Sequence, residues 1–483
     1  MRNPHPFLAA IPIMVLMAFI VFILLFLPDD ALSGACQIAL FAASTVCIGI
    51  SMFIYKIPWD RFGSVINVTI GESATSILIL LLIGVMSSTW MISGIVPTLI
   101  YYGVQIMSPT FFLPCACIIS AIISVMTGTS WTTIATIGIA LLGIGNALTI
   151  PAPYTAGAII SGAYFGDKMS PMSDTTVLAS AMARADLFSH IRYMMYTTVP
   201  SITITLILYM VMGLWFKTAN IEISQYTTTL SQTFNISLWT LIIPAITGFM
   251  IYKKVPSLLT LILSAFAACL CAAIMQPHIL ASIAGSNDVN ALSVFKGIML
   301  TCYTSTNVDS GVESINELIS TRGMAGMLNT VWLILCAMFF GSCMVASNML
   351  NSLTQTLLKT IRSTFQLVAT TVGCGVFFNM IMGDQFLSII MNASIFREEY
   401  ERRGYRPELL SRSTEDSATV TSVLVPWTAC GMTQSTVLGI PTLVYLPFCF
   451  FNIISPFMSC IVAALGFVPA PTPKENPTEE QPL

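Results

Sequence analysis

The chain has 483 residues, of which 55% are hydrophobic and only 8% are charged. Soluble domains carry about 25% charged residues, so this composition excludes an ordinary soluble protein and predicts an all-α polytopic membrane protein. The formal net charge is −3 and no basic patch is present, which argues against a nucleic-acid partner. The expected partners are the lipid bilayer of the plasma (inner) membrane and small solutes.

The first two apolar segments, residues 7–27 and 31–55, predict a pair of spanning helices. Arg2 precedes this pair, and Lys56 and Arg61 follow it. Lys and Arg are enriched on the cytoplasmic side of membrane proteins, so the N-terminus is predicted to be cytoplasmic.

Two long apolar segments follow, and each exceeds the roughly 20 residues that one span needs. Residues 77–107 are interrupted by small residues and proline, including Gly94, which predicts a span followed by a bent piece. Residues 111–150 have a natural break at 128–130, Gly-Thr-Ser. This break predicts two half-helices or a re-entrant hairpin with a polar tip.

The second half of the chain is less regular. Residues 277–322 are interrupted by charges, which leaves the number of crossings there open. Residues 366–396 again exceed one span and are broken at Gly383-Asp384. Residues 397–412 are rich in Arg and Glu, so they predict an aqueous, cytoplasmic loop. In total, about 10–12 transmembrane helices are expected, with broken helices or re-entrant hairpins among them.

The most informative stretch is 161–176, which reads Ser-Gly-Ala-Tyr-Phe-Gly-Asp-Lys-Met-Ser-Pro-Met-Ser-Asp-Thr-Thr. Residues 73–166 contain no Asp, Glu, Lys or Arg, and then Asp167, Lys168 and Asp174 come together. Ionisable residues in membrane-grade sequence are costly and mark a functional site by default. The residues expected to break the helix here are Gly162, Gly166 and Pro171. Transporters bind ions where broken helices line a cavity in the membrane.

The two halves of the chain share this plan. The tip at 128–130 corresponds to a tip at 383–385, and Ser-Asp-Thr-Thr at 173–176 corresponds to Glu-Asp-Ser-Ala-Thr at 415–419. Matching interrupted segments predict a transporter site between two inverted repeats. The expected units are an N-terminal helical pair (1–62), a first repeat with a site motif (63–216), connecting helices and loops (217–325), a second repeat with a site motif (326–467) and a disordered tail (468–483).

Several motifs carry a resemblance to a known family. They are Gly-Thr-Ser-Trp at 128–131, the stretch 162–176, Glu-Asp-Ser-x-Thr-Val-Thr-Ser at 415–422 with Pro426-Trp427, Tyr-Tyr-Gly at 101–103 and Arg-Tyr-Met-Met-Tyr-Thr-Thr at 192–198. Through most of its length the chain resembles the NhaC family of sodium/proton antiporters. The resemblance implies secondary active antiport in the ion-transporter superfamily, two inverted repeats and an elevator-like transport domain that moves against a scaffold.

The same family includes malate/lactate exchangers that are coupled to protons and sodium. This sequence departs from the family pattern at three positions near the motifs: Thr132 replaces the usual Gly, and Val177 and Thr428 each replace a usual Asn. The departures leave the carboxylates intact and bear on the identity of the substrate.

The residue types in these motifs suit sodium and protons. Sodium is a hard cation that carboxylate, hydroxyl and carbonyl oxygens hold. Burial disfavours a charged carboxylate, so protons and sodium can compete for one site. Asp174 and Asp416 are the first candidates, although each could instead be a helix N-cap. Further candidates to bind Na⁺ or H⁺ are Asp167, Asp384, Glu415, Thr129, Ser130, Ser173, Thr175, Thr176, Ser417 and Thr419. Hydroxyls in membrane helices also commonly bond back to helix carbonyls.

Asp167 could instead form a local ion pair with Lys168 at a helix end. The remaining polar residues are expected to lie outside the site. His190, between Asp186 and Arg192, is expected to be a surface group. The thirteen Cys lie in apolar runs and are expected to pack between helices. No cofactor is predicted beyond the transported Na⁺ and H⁺, and no nucleophile, metal set or base triad predicts an enzyme.

The leading prediction is therefore sodium/proton exchange. The alternatives on the same fold are an organic-anion exchanger of the malate/lactate type and an amino-acid exchanger. An organic anion, such as a small carboxylate, needs a cationic or amide-rich pocket. Lys168 is the only central cation that the sequence predicts, which favours simple ion exchange. The oligomeric state stays open, with a homodimer as one candidate.

Overall fold

The protein is described here by a computed structural model that covers residues 4–26, 34–216, 220–253, 255–358 and 361–467. Within these ranges it is α-helical, and the strand-like pairing found there is one isolated bridge between Thr306 and Thr321. Nine helices in the same ranges are long and apolar enough to cross a membrane, or up to eleven if each of two bent pairs counts as one span. The predicted all-α polytopic fold is confirmed. The predicted disordered tail, 468–483, lies outside the described residues.

The N-terminal part contains the predicted helical pair and a bent third segment. Its helices are α1 (Pro6–Phe26), α2 (Cys36–Phe53), α3 (Trp59–Ile92) and α4 (Ile95–Ile106). The span expected from residue 77 is the second half of α3, which starts at Trp59 after the extended Pro58. The expected bend lies at Gly94, whose φ of 84° ends α3. A left-handed backbone at this φ favours glycine.

The next helices carry the first polar tip. They are α5 (Pro109–Thr127), α6 (Ser130–Thr133), α7 (Ile139–Ala147), α8 (Ala152–Met169), α9 (Asp174–Ala183) and α10 (Leu187–Gly213). The predicted break at 128–130 is present: Gly128 has a φ of 68°, and the extended Thr129 starts α6. A π-helical turn, Ile134–Gly138, joins α6 to α7.

Gly162 and Gly166 do not break the helix, which corrects the expectation from sequence. They lie inside the continuous α8, and the break comes only around Pro171, between α8 and α9. A Cβ at either glycine would overlap the backbone of Cys117 or Ala121 in α5. The glycines therefore allow α5 and α8 to pack backbone to backbone, as small residues do in membrane helices.

The connecting region holds shorter and bent helices. They are α11 (Asn220–Thr233), α12 (Ile242–Tyr252), α13 (Ser257–Met275), α14 (Pro277–Ile283), α15 (Ala291–Tyr303) and α16 (Glu313–Ile319), and they are followed by α17 (Leu328–Ala346) and α18 (Met349–Leu358). The segments Tyr226–Thr233 and Leu238–Tyr252 are bent by 85° and together form one candidate broken span. The stretch 277–322, where crossings could not be counted from sequence, folds into α14, α15 and α16, all shorter than one span.

The last helices carry the second polar tip. They are α19 (Thr364–Met382), α20 (Gln385–Arg402), α21 (Pro407–Thr414), α22 (Ala429–Leu438), α23 (Thr442–Tyr445) and α24 (Phe450–Ala464). Gly383 has a φ of 65° and the extended Asp384 starts α20, the same backbone sequence as at the first tip. A π-helical turn, Glu415–Thr419, continues α21.

The prediction of an aqueous loop at 397–412 is wrong. α20 continues to Arg402, and α21 begins at Pro407. Glu399 pairs with Arg402 and Arg403, three and four residues later, and such pairs stabilise a helix. Arg412 is fully buried. The charged residues thus lie in the last turns of α20 and in α21, and the Arg412 side chain among them is buried in the protein.

Candidate functional site

Asp167 lies in the last turn of α8 and is buried. The backbone N–H and the hydroxyl of Ser130 donate to its Oδ2 at 3.0 and 2.7 Å. The Ser173 hydroxyl donates to its Oδ1 at 2.6 Å. The first tip therefore places the start of α6 against a carboxylate, where helix N–H groups favour negative charge. Lys168 does not pair with Asp167, so the expected local ion pair is wrong.

Glu415 is connected to Asp167 through two hydroxyls. Thr175 donates to Glu415 Oε1 at 3.1 Å, and the Thr175 and Ser173 hydroxyls are 2.9 Å apart. Glu415 is fully buried, and its Oε2 has no hydrogen-bond partner among the described residues. Ser173 and Thr175 thus bridge two carboxylates, one from each half of the chain, and Glu415 keeps an oxygen that accepts no hydrogen bond from the described residues.

Asp416, the next residue, has a different environment. Lys168 Nζ forms a buried ion pair with its Oδ1. The hydroxyls of Thr197 and Ser455 also donate to Oδ1, at 3.2 and 3.1 Å. Arg412 Nε lies 3.8 Å from Oδ2. Asp416 is therefore the shared anionic partner of two buried cations, one from each half of the chain.

The charges of this region are unevenly matched. Apart from Asp384, which caps α20, and Glu408, which pairs with Arg406, the buried acids are Asp167, Glu415 and Asp416, and the buried Lys and Arg side chains are Lys168 and Arg412. Both bases contact Asp416. No salt bridge joins Asp167 or Glu415 to a base within the described ranges. Burying a carboxylate without a cation is costly, so the Asp167–Glu415 pair is where a positive charge is most needed.

Asp174 lies at the mouth of the site. It is the first residue of α9 and is exposed, while the neighbouring Ser173 caps that helix. Asp174 lines a cavity of about 90 Å³ together with Asp167 and Thr175. It also lines an adjoining cavity of about 520 Å³, which reaches Ser257 at the start of α13. Asp174 and Asp416, paired in the sequence analysis, thus lie in different surroundings, one open and one buried.

The two polar tips meet at the smaller cavity. Gly128 and Thr129 from the first tip line it, and so do Gln385 and Phe386 from the second. Asp384 does not reach across as a ligand in this arrangement: its Oδ1 accepts the backbone N–H groups of Phe386 and Leu387 at 2.9 and 3.0 Å. It acts as the N-cap of α20 and is buried, so it is not a water-facing group either.

The remaining candidates divide between the site and the helices. Thr176 donates to the carbonyls of Asp167 and Lys168 at 3.3 and 3.0 Å, so it ties α9 to the end of α8. Ser417 bonds back to the Ser413 carbonyl at 2.7 Å. Thr419 is buried in the same π-helical turn as Glu415. Ser130, Ser173 and Thr175 are therefore the hydroxyls that contact the acidic pair directly.

Two further residues belong to this region and were not expected there. Arg412 was assigned to an aqueous loop, although its spacing of four from Asp416 was a readable signal for a helical ion pair. His190 was expected on the surface and is instead fully buried, with Nδ1 2.7 Å from the Ser411 hydroxyl. α10 starts just before it, capped by Asp186, and turns His190 inward.

Of the three departures from the family pattern, two line the cavities. Thr132 borders both cavities, and Val177 borders the larger one. Thr428 instead caps α22 by accepting the backbone N–H of Gly431 at 3.0 Å. No group of three or more His, Cys, Asp or Glu side chains in the described parts of the chain could hold a metal ion. The donor set is two carboxylates with hydroxyls, which suits a hard, weakly held cation.

Broken helices that converge on buried carboxylates within an apolar helical protein are the hallmark of secondary transporters. Residues 162–467 match the model of the Na⁺/H⁺ antiporter family. The chain therefore belongs to the Na⁺/H⁺ antiporter family, and the resemblance seen in the sequence is confirmed.

Curated relatives cover most of the chain and have different printed substrates. The Na(+)/H(+) antiporter NhaC of Alkalihalophilus pseudofirmus is 33% identical over 85% of this chain and 86% of its own length. The Malate-2H(+)/Na(+)-lactate antiporter of Bacillus subtilis is 33% identical over 89% of each chain. The Arginine/ornithine antiporter ArcD of Halobacterium salinarum is 31% identical over 89% of this chain and 87% of its own length.

Proposed function

We propose that this protein exchanges sodium for protons across the cell membrane and that Asp167 and Glu415 form the shared site. The observation that carries the proposal is the uncompensated acidic pair. Two buried carboxylates are joined through Ser173 and Thr175, while both nearby cations contact Asp416 instead. A bound Na⁺ or bound protons would neutralise the pair, and the two kinds of cation would exclude each other.

The oxygens of this pair match sodium. Asp167 and Glu415 supply carboxylate oxygens, and Ser130, Ser173 and Thr175 supply hydroxyl oxygens within the same hydrogen-bonded group. Sodium, like other hard cations, is held by such ligands. The geometry thus ranks Asp167 and Glu415 ahead of the pair first chosen from sequence.

Asp174 and Asp416 have supporting roles in this proposal. Asp174, exposed beside Asp167 on the cavity wall, attracts cations to the entrance. Asp416 contacts both Lys168 and Arg412, and neither cation forms a salt bridge with Asp167 or Glu415. Lys168, which pairs with Asp416 and also contacts Ser455, is therefore not free to receive the carboxylate of an organic anion.

The positive-inside rule supplies the orientation. It favours a cytoplasmic N-terminus, and the cavity at Asp174 reaches Ser257, which follows the basic Lys253. On this orientation the sodium site opens to the cytoplasm. Two inverted repeats and an elevator-like motion of the site also stay part of the proposal, supported by the matched backbone at Gly128 and Gly383.

The substrate is tested with purified protein in proteoliposomes that carry an imposed pH gradient. Na⁺, Li⁺, malate, lactate, arginine and ornithine are added in turn, and the pH inside the vesicles is followed by fluorescence. Sodium alone should dissipate the gradient. A gradient that responds to malate or arginine and not to sodium alone would overturn the proposal.

A further inference from the structure

One face of α10 runs along the helix that carries Arg412 and Asp416. His190, Tyr193 and Thr197 are spaced by three and four residues, so they lie on one side of α10. His190 contacts Ser411, the Tyr193 ring lies 4.6 Å from Arg412 Cζ, and Thr197 contacts Asp416. We call the contact region between these residues and α24 the α10 seam. It extends about 10 Å from His190 to Thr197 at 1.5 Å per helical residue.

The α10 seam contains buried polar atoms without protein partners. Nε, Nη1 and Nη2 of Arg412, Nε2 of His190 and Oγ of Ser459 have no hydrogen-bond partner among the described residues. Asp416 Oδ2 likewise accepts no hydrogen bond there and has only the ion pair with Arg412 at 3.8 Å. Leaving such groups without a hydrogen-bond partner is destabilising, and more so for charged ones.

α24 supplies the third wall. Ser455 contacts Asp416 and Lys168, and Ser459 lies one turn further along the same face. Beyond this helix, the carbonyl of Phe467 accepts the Tyr193 hydroxyl at 3.0 Å. The helices therefore run side by side, with Thr197 and Ser455 near the inner end and Tyr193 and Phe467 nearer the outer end.

The outer end of the α10 seam lies near an exposed residue, and its inner end lies beside the ion site. The outer end is one turn from Asp186, the exposed N-cap of α10. There, the backbone N–H of Ser189 holds the pKa of Asp186 below its usual value. The inner end is Asp416, which directly follows Glu415 in the chain, while its partner Lys168 directly follows Asp167. A chain of hydrogen-bonding groups thus leads from an aqueous edge to the neighbours of the ion site.

We propose that the α10 seam holds a chain of ordered waters that carries protons between the aqueous edge and Asp416. This proposal rests on the proposed sodium/proton exchange and adds a second route to it. Sodium reaches Asp167 past Asp174, whereas protons travel along His190 and Arg412. Water is the ligand that fits, since the unpartnered atoms include both donors and acceptors, and a buried water joins two to four such groups.

Ionisable groups face the α10 seam from every helix around it. They are His190 and Tyr193 of α10, Lys168 of α8, Tyr400 of α20, Glu408 and Arg412 of α21, Asp416 of the π-helical turn and Cys460 of α24. Glu408 and Asp416 are the carboxylates among these groups, and Asp416 is the one that contacts Lys168 and Arg412. A proton that travels along the α10 seam from His190 thus reaches Asp416 at the inner end, next to Glu415.

The test measures proton movement and sodium binding separately. His190→Leu replaces the ring with an apolar side chain, and His190→Gln keeps a polar one. Ser459→Val blocks the opposite wall without touching His190. Tyr196→Leu on the exposed face of α10 is the matched control. Sodium-driven proton flux is measured in proteoliposomes at alkaline pH, where protons limit the rate, and sodium binding is measured as stabilisation against heating by NaCl relative to choline chloride.

His190→Leu and Ser459→Val should each slow the flux at least about tenfold, equivalent to about 1.4 kcal/mol on the barrier, with the stabilisation by sodium unchanged. His190→Gln and Tyr196→Leu should keep nearly the wild-type flux. If His190→Leu does not fold, Ser459→Val decides. Flux near wild type in the blocked variants, or parallel loss of flux and sodium binding, overturns the water route. A wild-type protein without any response to sodium overturns the proposed function instead.

Discussion

Replacing the adjacent residues Glu415 and Asp416 by their amides should affect the free energy of unfolding differently. Glu415→Gln keeps the side-chain volume and an oxygen that can accept from Thr175, now 3.1 Å away. It removes a buried charge that no cation balances, so the variant should be at least as stable as wild type. Asp416→Asn leaves Lys168 and Arg412 buried without their anion. Breaking a buried pair in this way costs about 3–5 kcal/mol.

Sodium should stabilise Glu415→Gln less than it stabilises wild type. A ligand at a hundred times its Kd stabilises the folded state by about 2.7 kcal/mol. The loss of one charged contact, about 1.5–3 kcal/mol, raises Kd roughly 10- to 100-fold. At the same sodium concentration, Glu415→Gln should therefore gain only about 0.4–1.4 kcal/mol. Asp416→Asn should start from a lower stability than wild type, with or without sodium.

The assay is thermal unfolding of purified protein in detergent, followed by tryptophan fluorescence, in NaCl and in choline chloride of equal ionic strength. A wild-type shift in Tm with sodium for Glu415→Gln would contradict the role of Glu415 in sodium binding. Unfolding of Asp416→Asn at the wild-type temperature in choline chloride would contradict the role of Asp416 as the partner of two buried cations.

Three further predictions concern the tip, the entrance and the orientation. Gly128→Ala should lower the thermal stability of the protein more than Gly439→Ala does. Both glycines have φ near 70°, a conformation that costs about 1–2 kcal/mol for alanine. Only at Gly128 would the new Cβ also come within 2.8 Å of the Met172 backbone. Asp174→Asn should raise the KM for sodium a few-fold and leave kcat unchanged. The difference in KM from wild type should shrink at high ionic strength, because salt screens the attraction of an exposed charge for cations. An unchanged KM at low salt would contradict the role of Asp174 at the entrance. A single cysteine at Arg402 should react with an impermeant thiol reagent only from the cytoplasmic side, and labelling from outside intact cells would reverse the proposed topology.

The breaks of the fold could be predicted from sequence because their signals are local. Gly128 and Gly383 interrupt apolar segments that are too long for one span, and each is followed by a residue with an oxygen-bearing side chain. Composition and segment length likewise predicted the all-α membrane fold. Gly162 was misread because a glycine inside a membrane helix signals either a break or a close approach, and only the position of α5 distinguishes the two.

The candidate site was predicted as a set of residues but not as an arrangement. Asp167, Glu415, Ser173 and Thr175 were among the candidates, yet which acid is paired depends on contacts across the chain. Lys168 and Asp416 are separated by 248 positions, and no local pattern indicates that contact. The charge-rich segment with Arg412 illustrates the same limit, because an Arg near a helix end looks the same whether it faces water or the protein.

Asp167 and Glu415 are assigned here as the residues that bind the exchanged cation. The most direct test of this assignment measures ²²Na⁺ uptake into proteoliposomes, driven by an outward proton gradient, for wild type, Asp167→Asn and Glu415→Gln. Wild type should take up ²²Na⁺ until the gradient is dissipated, and both variants should lose this uptake although both insert and fold. Gradient-driven uptake within about twofold of wild type in either variant, a difference of only about 0.4 kcal/mol, would contradict it.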